Sequence, residues 1–241
     1  MPAAKPAPAE LLRRLLRGRE GPLLHVQEVP ARAGVTAPWP DWVPQQLRTA
    51  AYARGIEAPW RHQVETADLV RAGEHVVIST GTASGKSLAY LLPVLSHLLE
   101  QPKATALYLS PTKALAADQL RSVAGLGLAE VRASGYDGDT PHAEREWVRA
   151  HSRFILTNPD MLHRSILPRH AQWASFLRRL SFVVIDECHV YRGVFGSHVA
   201  QVIRRLRRVL ARYAPRTAVF VLASATAGDP AASATRLTGL P

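Results

Sequence analysis

Cysteine is almost missing: the 241 residues contain one, Cys188. It can close no internal disulfide and cannot build a cysteine-based zinc site alone, which excludes a secreted disulfide scaffold and a zinc finger and suits a reducing, cytoplasmic setting. Long apolar runs are missing too. The longest, 88–99, is interrupted by Pro93, Ser96 and His97 and falls short of the ~20 residues a bilayer crossing needs, so no membrane span is expected. The opening MPAAKPAPAE is rich in proline and alanine, and the ELLRRLLR after it lacks the uninterrupted apolar core of an export signal. Glu10, Glu20 and the want of a serine tract also disfavour an organelle transit sequence. Lysine is scarce. Among 30 basic residues only Lys5, Lys86, Lys103 and Lys113 are lysine, and against 19 acidic residues the rest, all arginine, leave a net charge of +11. That excess suits a polyanion such as nucleic acid, although an arginine-rich genome would give it as well. With 47% hydrophobic residues, a folded chain of this length buries roughly 70% of its unfolded surface, which excludes disorder throughout.

From residue 74 onward one grammar repeats: a short aliphatic or β-branched run, a polar or glycine-containing loop, then an amphipathic stretch. The runs are 75–80, 105–110, 131–136, 153–158, 182–187 and 218–226. Their spacing predicts parallel strands joined by crossover helices, an α/β fold with a mostly parallel central sheet flanked by helices. Helices are expected at 86–99, 112–123 and 197–213. In the last, Val199, Ile203, Leu206, Leu210 and Tyr213 recur at helical spacing, with Ser197 as its expected cap. Arg204, Arg205, Arg207, Arg208 and Arg212 fall mostly off that stripe and read as a solvated face, with a nucleic-acid contact as the alternative. Residues 1–50, with Pro38, Pro40 and Pro44 among Trp39 and Trp42, read as a short helical extension and linker, and residues 51–241 as the domain.

Ligands of an open α/β sheet bind at the carboxyl ends of the strands, so the residues after each run carry the chemistry. The first run leads into Thr80, Gly81, Thr82, Ala83, Ser84, Gly85, Lys86 and Ser87, and then a helix. A loop that turns backbone N–H groups toward a phosphate at a helix N-terminus binds anions; Lys86 adds a point charge and Ser87 a magnesium ligand. The general pattern G-x-x-x-x-G-K-[ST] fails at its first position, Thr80, so the loop needs support from elsewhere. It comes 100 residues after Lys86, where FVVIDECH delivers Asp186 to hold a magnesium ion and Glu187 to activate water.

Together these segments resemble the superfamily-two DNA and RNA helicases of the DExH group. Gln63 in PWRHQVETA resembles the adenine-reading glutamine motif, TGTASGKS motif I, SPTKALAADQL motif Ia, YDGDTP the GD-type motif, TNPDMLH motif Ib, DECH motif II, and Ser224-Ala225-Thr226 motif III. Each is short, but seven stand in the family's order. TGTASGKSLAYLLPVL, YLSPTKALAADQLR and IDECHVYRGVFGSHVAQVIRRLRR are similar to a branch containing bacterial mitomycin-repair helicases and their fungal RecQ-like relatives. The resemblance implies a RecA-like P-loop lobe with ATP and Mg2+ as cofactors, and an ATP-dependent helicase acting on DNA more than RNA, 3′ to 5′, in repair. It implies backbone contacts from Pro111, Thr112 and Lys113, from Gly138 and Asp139, and from Thr157, Asn158 and Pro159, for which a turn with an Asx cap is the plain alternative. His189, Ser224 and Thr226 would couple nucleotide state to the nucleic-acid groove, unless His189 is merely structural. Trp60 would stack on adenine or belong to the core; Cys188 would be inert.

Ala83 stands where motif I usually has glycine, as this branch tends to show. The chain offers one lobe: a second lobe, in cis or in trans, would bring the arginines that touch the γ phosphate, worth ~10³ to 10⁵ in turnover. Taken alone, the chain is expected to hydrolyse ATP poorly and not to unwind duplexes. A module that holds nucleotide or nucleic acid without turnover is the competing reading, and another P-loop enzyme, such as a kinase, leaves motifs Ia, Ib and III unexplained.

Overall fold

Five short runs rich in valine, isoleucine, leucine and phenylalanine, with a sixth of three small residues, form one sheet, described by a computed structural model at residues 8–17, 25, 27, 34–81, 84–213, 217–225 and 228–241. The strands are β1 (Val76–Ser79), β2 (Thr105–Leu109), β3 (Ala133–Gly135), β4 (Phe154–Thr157), β5 (Leu180–Ile185) and β6 (Val219–Ser224). All pair in parallel, in the order β1-β6-β5-β2-β4-β3. Their carboxyl ends, and the motifs that follow them, therefore share one edge.

Alternation along the strands makes two cores, one on each face. Leu107 and Leu109 of β2, Val183 and Ile185 of β5, and Phe220 and Leu222 of β6 pack into one; Ala106, Tyr108, Phe182, Val184, Val221 and Ala223 pack into the other. Both faces are covered, as a parallel sheet requires. Helices α2 (Gln45–Ala53), α3 (Arg61–Arg71), α4 (Lys86–Glu100) and α5 (Lys113–Ala124) contribute to the second core. The first core takes α6 (His142–His151), the short turns α7 (Pro159–Met161) and α8 (Ala174–Leu177), and the long α9 (Gly193–Tyr213) and α10 (Pro230–Thr238).

The chain divides at Gly34/Val35 and not at residue 50, because Val43 and Leu47 are buried in the second core. The N-terminal unit contains α1 (Pro8–Leu16), where Arg14 meets Glu10 at 2.6 Å one turn back. No described helix is long and apolar enough to cross a membrane.

Two expectations need correction. Ser197 does not cap α9; the helix starts at Gly193, and the Ser197 hydroxyl donates to the Gly193 carbonyl at 3.1 Å. Nor are all the arginines of α9 a solvated face. Arg204 donates to the Arg236 carbonyl at 3.0 Å, and Arg207 to those of Thr238 and Gly239 at 3.0 and 2.8 Å, supplying the donors that the end of α10 lacks. Arg153, only 5% exposed, donates in the same way to the carbonyls of Leu98, Gln101, Ala104 and Glu130, tying the end of α4 to the start of β4.

Candidate nucleotide and nucleic-acid site

The loop after β1 closes on itself through local bonds. Thr80 and Ser84 share a hydroxyl–hydroxyl bond of 2.6 Å, and the Lys86 ammonium donates to the Thr80 and Gly81 carbonyls at 3.0 and 2.9 Å. Thr82 and Ala83 lie outside the described residues. Gly85 has φ +75°, a left-handed conformation, and a Cβ there would stand 2.5 Å from Gln63 Nε2. The left-handed backbone favours glycine, and any side chain there would have to displace the Gln63 amide.

Gln63 explains that closeness. It is buried; Nε2 donates to the Gly85 carbonyl at 2.8 Å, and Oε1 accepts the Trp60 N–H at 2.8 Å. One N–H and one lone pair of the amide remain for another partner. Trp60 is 39% exposed, which removes it from the core. Both residues line a cavity of about 300 Å³ beside the phosphate loop, with Leu47, Ile56, Leu88 and Leu91 as apolar walls.

At the end of β5, the Asp186 carboxylate accepts the Tyr90 hydroxyl at 3.0 Å and the Tyr108 hydroxyl at 2.8 Å on Oδ2, and the Glu187 N–H at 2.8 Å on Oδ1. Tyr90 lies in the first turns of α4, one turn past Lys86. That bond brings the acidic strand end against the helix that starts at the phosphate loop. Burial first, and the nearby Asp186 charge as well, push both phenols above their ordinary range, so they stay donors. Sequence reasoning missed this pair, because a tyrosine in an apolar run reads as core. The signal was there: a fully buried phenol needs a hydrogen-bond partner.

Glu187 has φ +48°, which turns the chain sharply out of β5. Beyond it, His189 Nδ1 accepts the Ala225 N–H at 3.2 Å, so motifs II and III are joined. The same nitrogen lies 3.2 Å from Glu187 Oε2, a contact of acceptor against acceptor while Nδ1 keeps its lone pair. The Ser224 hydroxyl donates to the Ala225 carbonyl at 2.8 Å, and Ser79 does so at 3.2 Å from β1. Thr226 lies outside the described residues. Burial pushes the Cys188 thiol up to about 11, which suits an unreactive side chain.

The remaining motifs gather on the same edge. Thr112 caps α5, accepting the Leu115 N–H at 3.2 Å; Pro111 is half-buried beside it. Lys113 pairs with Asp139 at 2.9 Å, and that bond raises its pKa; a Cβ on Gly138 would lie 3.3 Å from its ammonium. Asn158 caps α7 by accepting the Met161 N–H at 2.9 Å, with Pro159 in the first turn, so the Asx cap is formed. Thr157 is 1% exposed and gives its hydroxyl to the Tyr136 carbonyl, so it is buried beneath this surface.

Among the described residues no cluster of three or more His, Cys, Asp or Glu side chains could cage a metal alone. The donors here are one carboxylate, Asp186, and one hydroxyl, Ser87, close enough to influence the Tyr90 phenol that Asp186 binds. That set fits Mg2+, which keeps several waters and takes one or two carboxylates plus substrate phosphates.

Residues 60–234 match the DEAD/DEAH box helicase family. The chain belongs to this family. An uncharacterized ATP-dependent helicase, YprA of Bacillus subtilis, is 43% identical over 94% of this chain and 30% of its own length. The ATP-dependent helicase hrq1 of Schizosaccharomyces pombe is 43% identical over 77% of this chain and 18% of its own. In fold, the chain is similar to the DUF1998 helicase MrfA bound to DNA and AMPPNP, with a TM-score of 0.87 and 42% identity, covering 97% of this chain and 33% of that one. These matches agree with the branch resemblance drawn from the sequence. The DEAD-box helicase Mss116, at a TM-score of 0.69 and 19% identity, shares the RecA-like fold. The chain thus spans about a third or less of the length of the relatives it matches.

Proposed function

We propose that this chain is the ATP-binding lobe of an ATP-dependent DNA helicase of the DExH type, working 3′ to 5′ in DNA repair in the cytoplasm. A second RecA-like lobe completes it in cis or in trans. The observation that carries the nucleotide site is the Tyr90–Asp186 bond, which brings the acid of motif II against the helix of the phosphate loop. Mg2+, when bound, neutralises charge developing on the phosphates. Ser87 and Asp186 would hold it. Backbone N–H groups from Thr80 to Ser87 cradle the triphosphate, and Lys86 leaves the Thr80 and Gly81 carbonyls for the β and γ phosphates. Glu187 takes the proton of the attacking water. The purine enters the cavity beside Trp60 and Gln63, where the free N–H and lone pair of the Gln63 amide match the N6 and N7 edge of adenine.

Nucleic acid crosses the same edge. Pro111, Thr112 and Lys113, Gly138 and Asp139, and Asn158 face its backbone, while Pro159, buried in the first turn of α7, and Thr157, which holds the Tyr136 carbonyl, act from beneath. DNA is taken over RNA because MrfA, 42% identical to this chain, is a helicase bound to DNA. His189 and Ser224, which both bond to Ala225, would pass nucleotide state to this surface, a role proposed for Thr226 as well.

The test is ATP binding by three forms of the chain. Lys86→Ala should lose nucleotide, and Glu187→Gln should keep it at wild-type affinity while losing hydrolysis. Undiminished ATP binding by Lys86→Ala would sink this assignment.

A further inference from the structure

Asp186 is held by more donors than an acidic residue at a strand end requires. Two of the three meet one oxygen: Tyr90 and Tyr108 both donate to Oδ2, at 3.0 and 2.8 Å, while the Glu187 N–H takes a position on Oδ1. A carboxylate offers about four lone-pair directions, two on each oxygen. The phenols occupy both of those on Oδ2, the backbone occupies one on Oδ1, and one on Oδ1 is left. Nor can the rings swing aside. Tyr90 is 0% and Tyr108 1% exposed, their centroids lie 6.2 Å apart, and each is packed in the core on the α4 face of the sheet.

A single open position matters to a cation. Ca2+ takes six to eight oxygens at flexible geometry and readily engages both oxygens of a carboxylate, whereas Mg2+ demands an octahedron, keeps waters and needs only one. We propose that Tyr90 and Tyr108 set cation specificity: by occupying Oδ2 they make Asp186 a one-oxygen acceptor, so the nucleotide is taken with Mg2+ in preference to Ca2+. Neither tyrosine touches the nucleotide; both are positioning residues acting through Asp186. The inference rests on the ATP-site reading above. It goes further by assigning the discrimination to two side chains that lie outside the seven motifs. Tyr108 stands on β2, the strand that leads into Pro111, Thr112 and Lys113, so the same phenol also anchors the acid to the strand carrying motif Ia.

The experiment uses the 241-residue chain and a fluorescent N-methylanthraniloyl ATP, titrated in excess Mg2+, in excess Ca2+, and in EDTA. Wild type is compared with Tyr90→Phe, Tyr108→Phe and the double variant. Each change removes one oxygen and keeps the ring, and thermal melting by circular dichroism reports whether the core survives. Wild type should bind more tightly with Mg2+ than with Ca2+. In the double variant the affinity in EDTA should stay unchanged, while the Mg2+ over Ca2+ preference should fall by about tenfold, the scale on which partners of a metal ligand act. The single variants should fall between, and if the double variant does not fold they decide the question by the same ratio. A ratio unchanged from wild type in folded variants overturns the proposal and leaves the nucleotide site standing. Failure of wild type to bind the analogue under all three conditions overturns the ATP-site reading, and the cation inference with it.

Discussion

Replacing Gly196 by alanine tests how tightly the turn after motif II is packed. Gly196 sits in the first turn of α9, where its N–H donates to the Arg192 carbonyl at 3.0 Å. In an exposed helix, glycine to alanine stabilises by up to about 1 kcal/mol. Here a Cβ would stand 2.4 Å from the Tyr191 carbonyl oxygen and 2.5 Å from its carbon. Both are backbone atoms of a residue only 8% exposed, so no flexible side chain can give way. Overpacking of this kind costs about 1–3 kcal/mol, and against rigid backbone the upper part of that range applies. The net effect should be a loss of about 1–2 kcal/mol, or roughly 2–8 °C in Tm for a domain of this size. The strain would reach His189, two residues before Tyr191, and loosen its bond to Ala225. Gly228→Ala is the control: nothing lies within 4 Å of its Cβ position, so melting should be unchanged or slightly raised. Differential scanning calorimetry of the three proteins decides the matter. A Gly196→Ala protein that melts at or above wild type would refute the reasoning, since helix propensity would then outweigh the clash.

Arg153→Met should cost about 3 kcal/mol or more, since it strips the donor from buried carbonyls at about 1–3 kcal/mol each; urea titration measures it. Lys113→Ala should weaken single-stranded DNA binding and lower the salt slope by about one, while Asp139→Asn, which frees the lysine, should strengthen binding; fluorescence anisotropy across a salt series checks both. Stability should fall in acid. Burial, first of all, lowers the pKa of His75 and His97 below the ordinary 6.5, so the unfolded chain takes up protons that the folded chain resists. That part of the stability is complete above about pH 7 and declines as pH drops below 6.5; denaturant midpoints at pH 7.5 and 5.5 should differ in that sense, more in wild type than in His97→Asn.

What could be read from the residues was whatever chemistry is local. Five of the six runs became strands because an aliphatic or β-branched run is a property of four to six neighbours, β3 keeping only Ala133–Gly135 of its run, and the parallel direction followed from their spacing. Gly85, Lys86 and Ser87 stand at a helix start, and Asp186 and Glu187 at a strand end, because the loops that hold them are short. Tertiary contacts were another matter. Nothing near Arg204 or Arg207 in sequence announces the carbonyls of α10, some thirty residues away. Thr157 reads as a phosphate ligand until the Tyr136 carbonyl takes its hydroxyl. Tyr90 and Tyr108 match apolar periodicity so well that their polar ends are overlooked, and only the sheet order brings them to one carboxylate.

That sheet order also says how the three segments proposed to face the nucleotide are joined. β6 lies between β1, which carries the phosphate loop, and β5, which carries the acidic pair. The end of β6 is gripped from both sides: Ser79 of β1 donates to the Ala225 carbonyl, and His189, after β5, accepts the Ala225 N–H. A displacement of either neighbour must stretch a bond to Ala225 or carry it along. Glu187 sharpens the point, because its carboxylate faces the same His189 nitrogen that the Ala225 N–H uses. In the tautomer that carries its hydrogen on Nδ1, that nitrogen would donate to Glu187 and give up the bond to motif III, so the histidine can serve only one of its neighbours at a time. Substituting His189 by asparagine, whose side-chain oxygen can accept but cannot become a donor, should therefore leave ATP binding intact and uncouple hydrolysis from DNA. Stimulation of ATPase turnover by single-stranded DNA, measured with this chain joined to a second RecA-like lobe, reads this out, and stimulation equal to wild type would mean that Ala225 is held for stability alone.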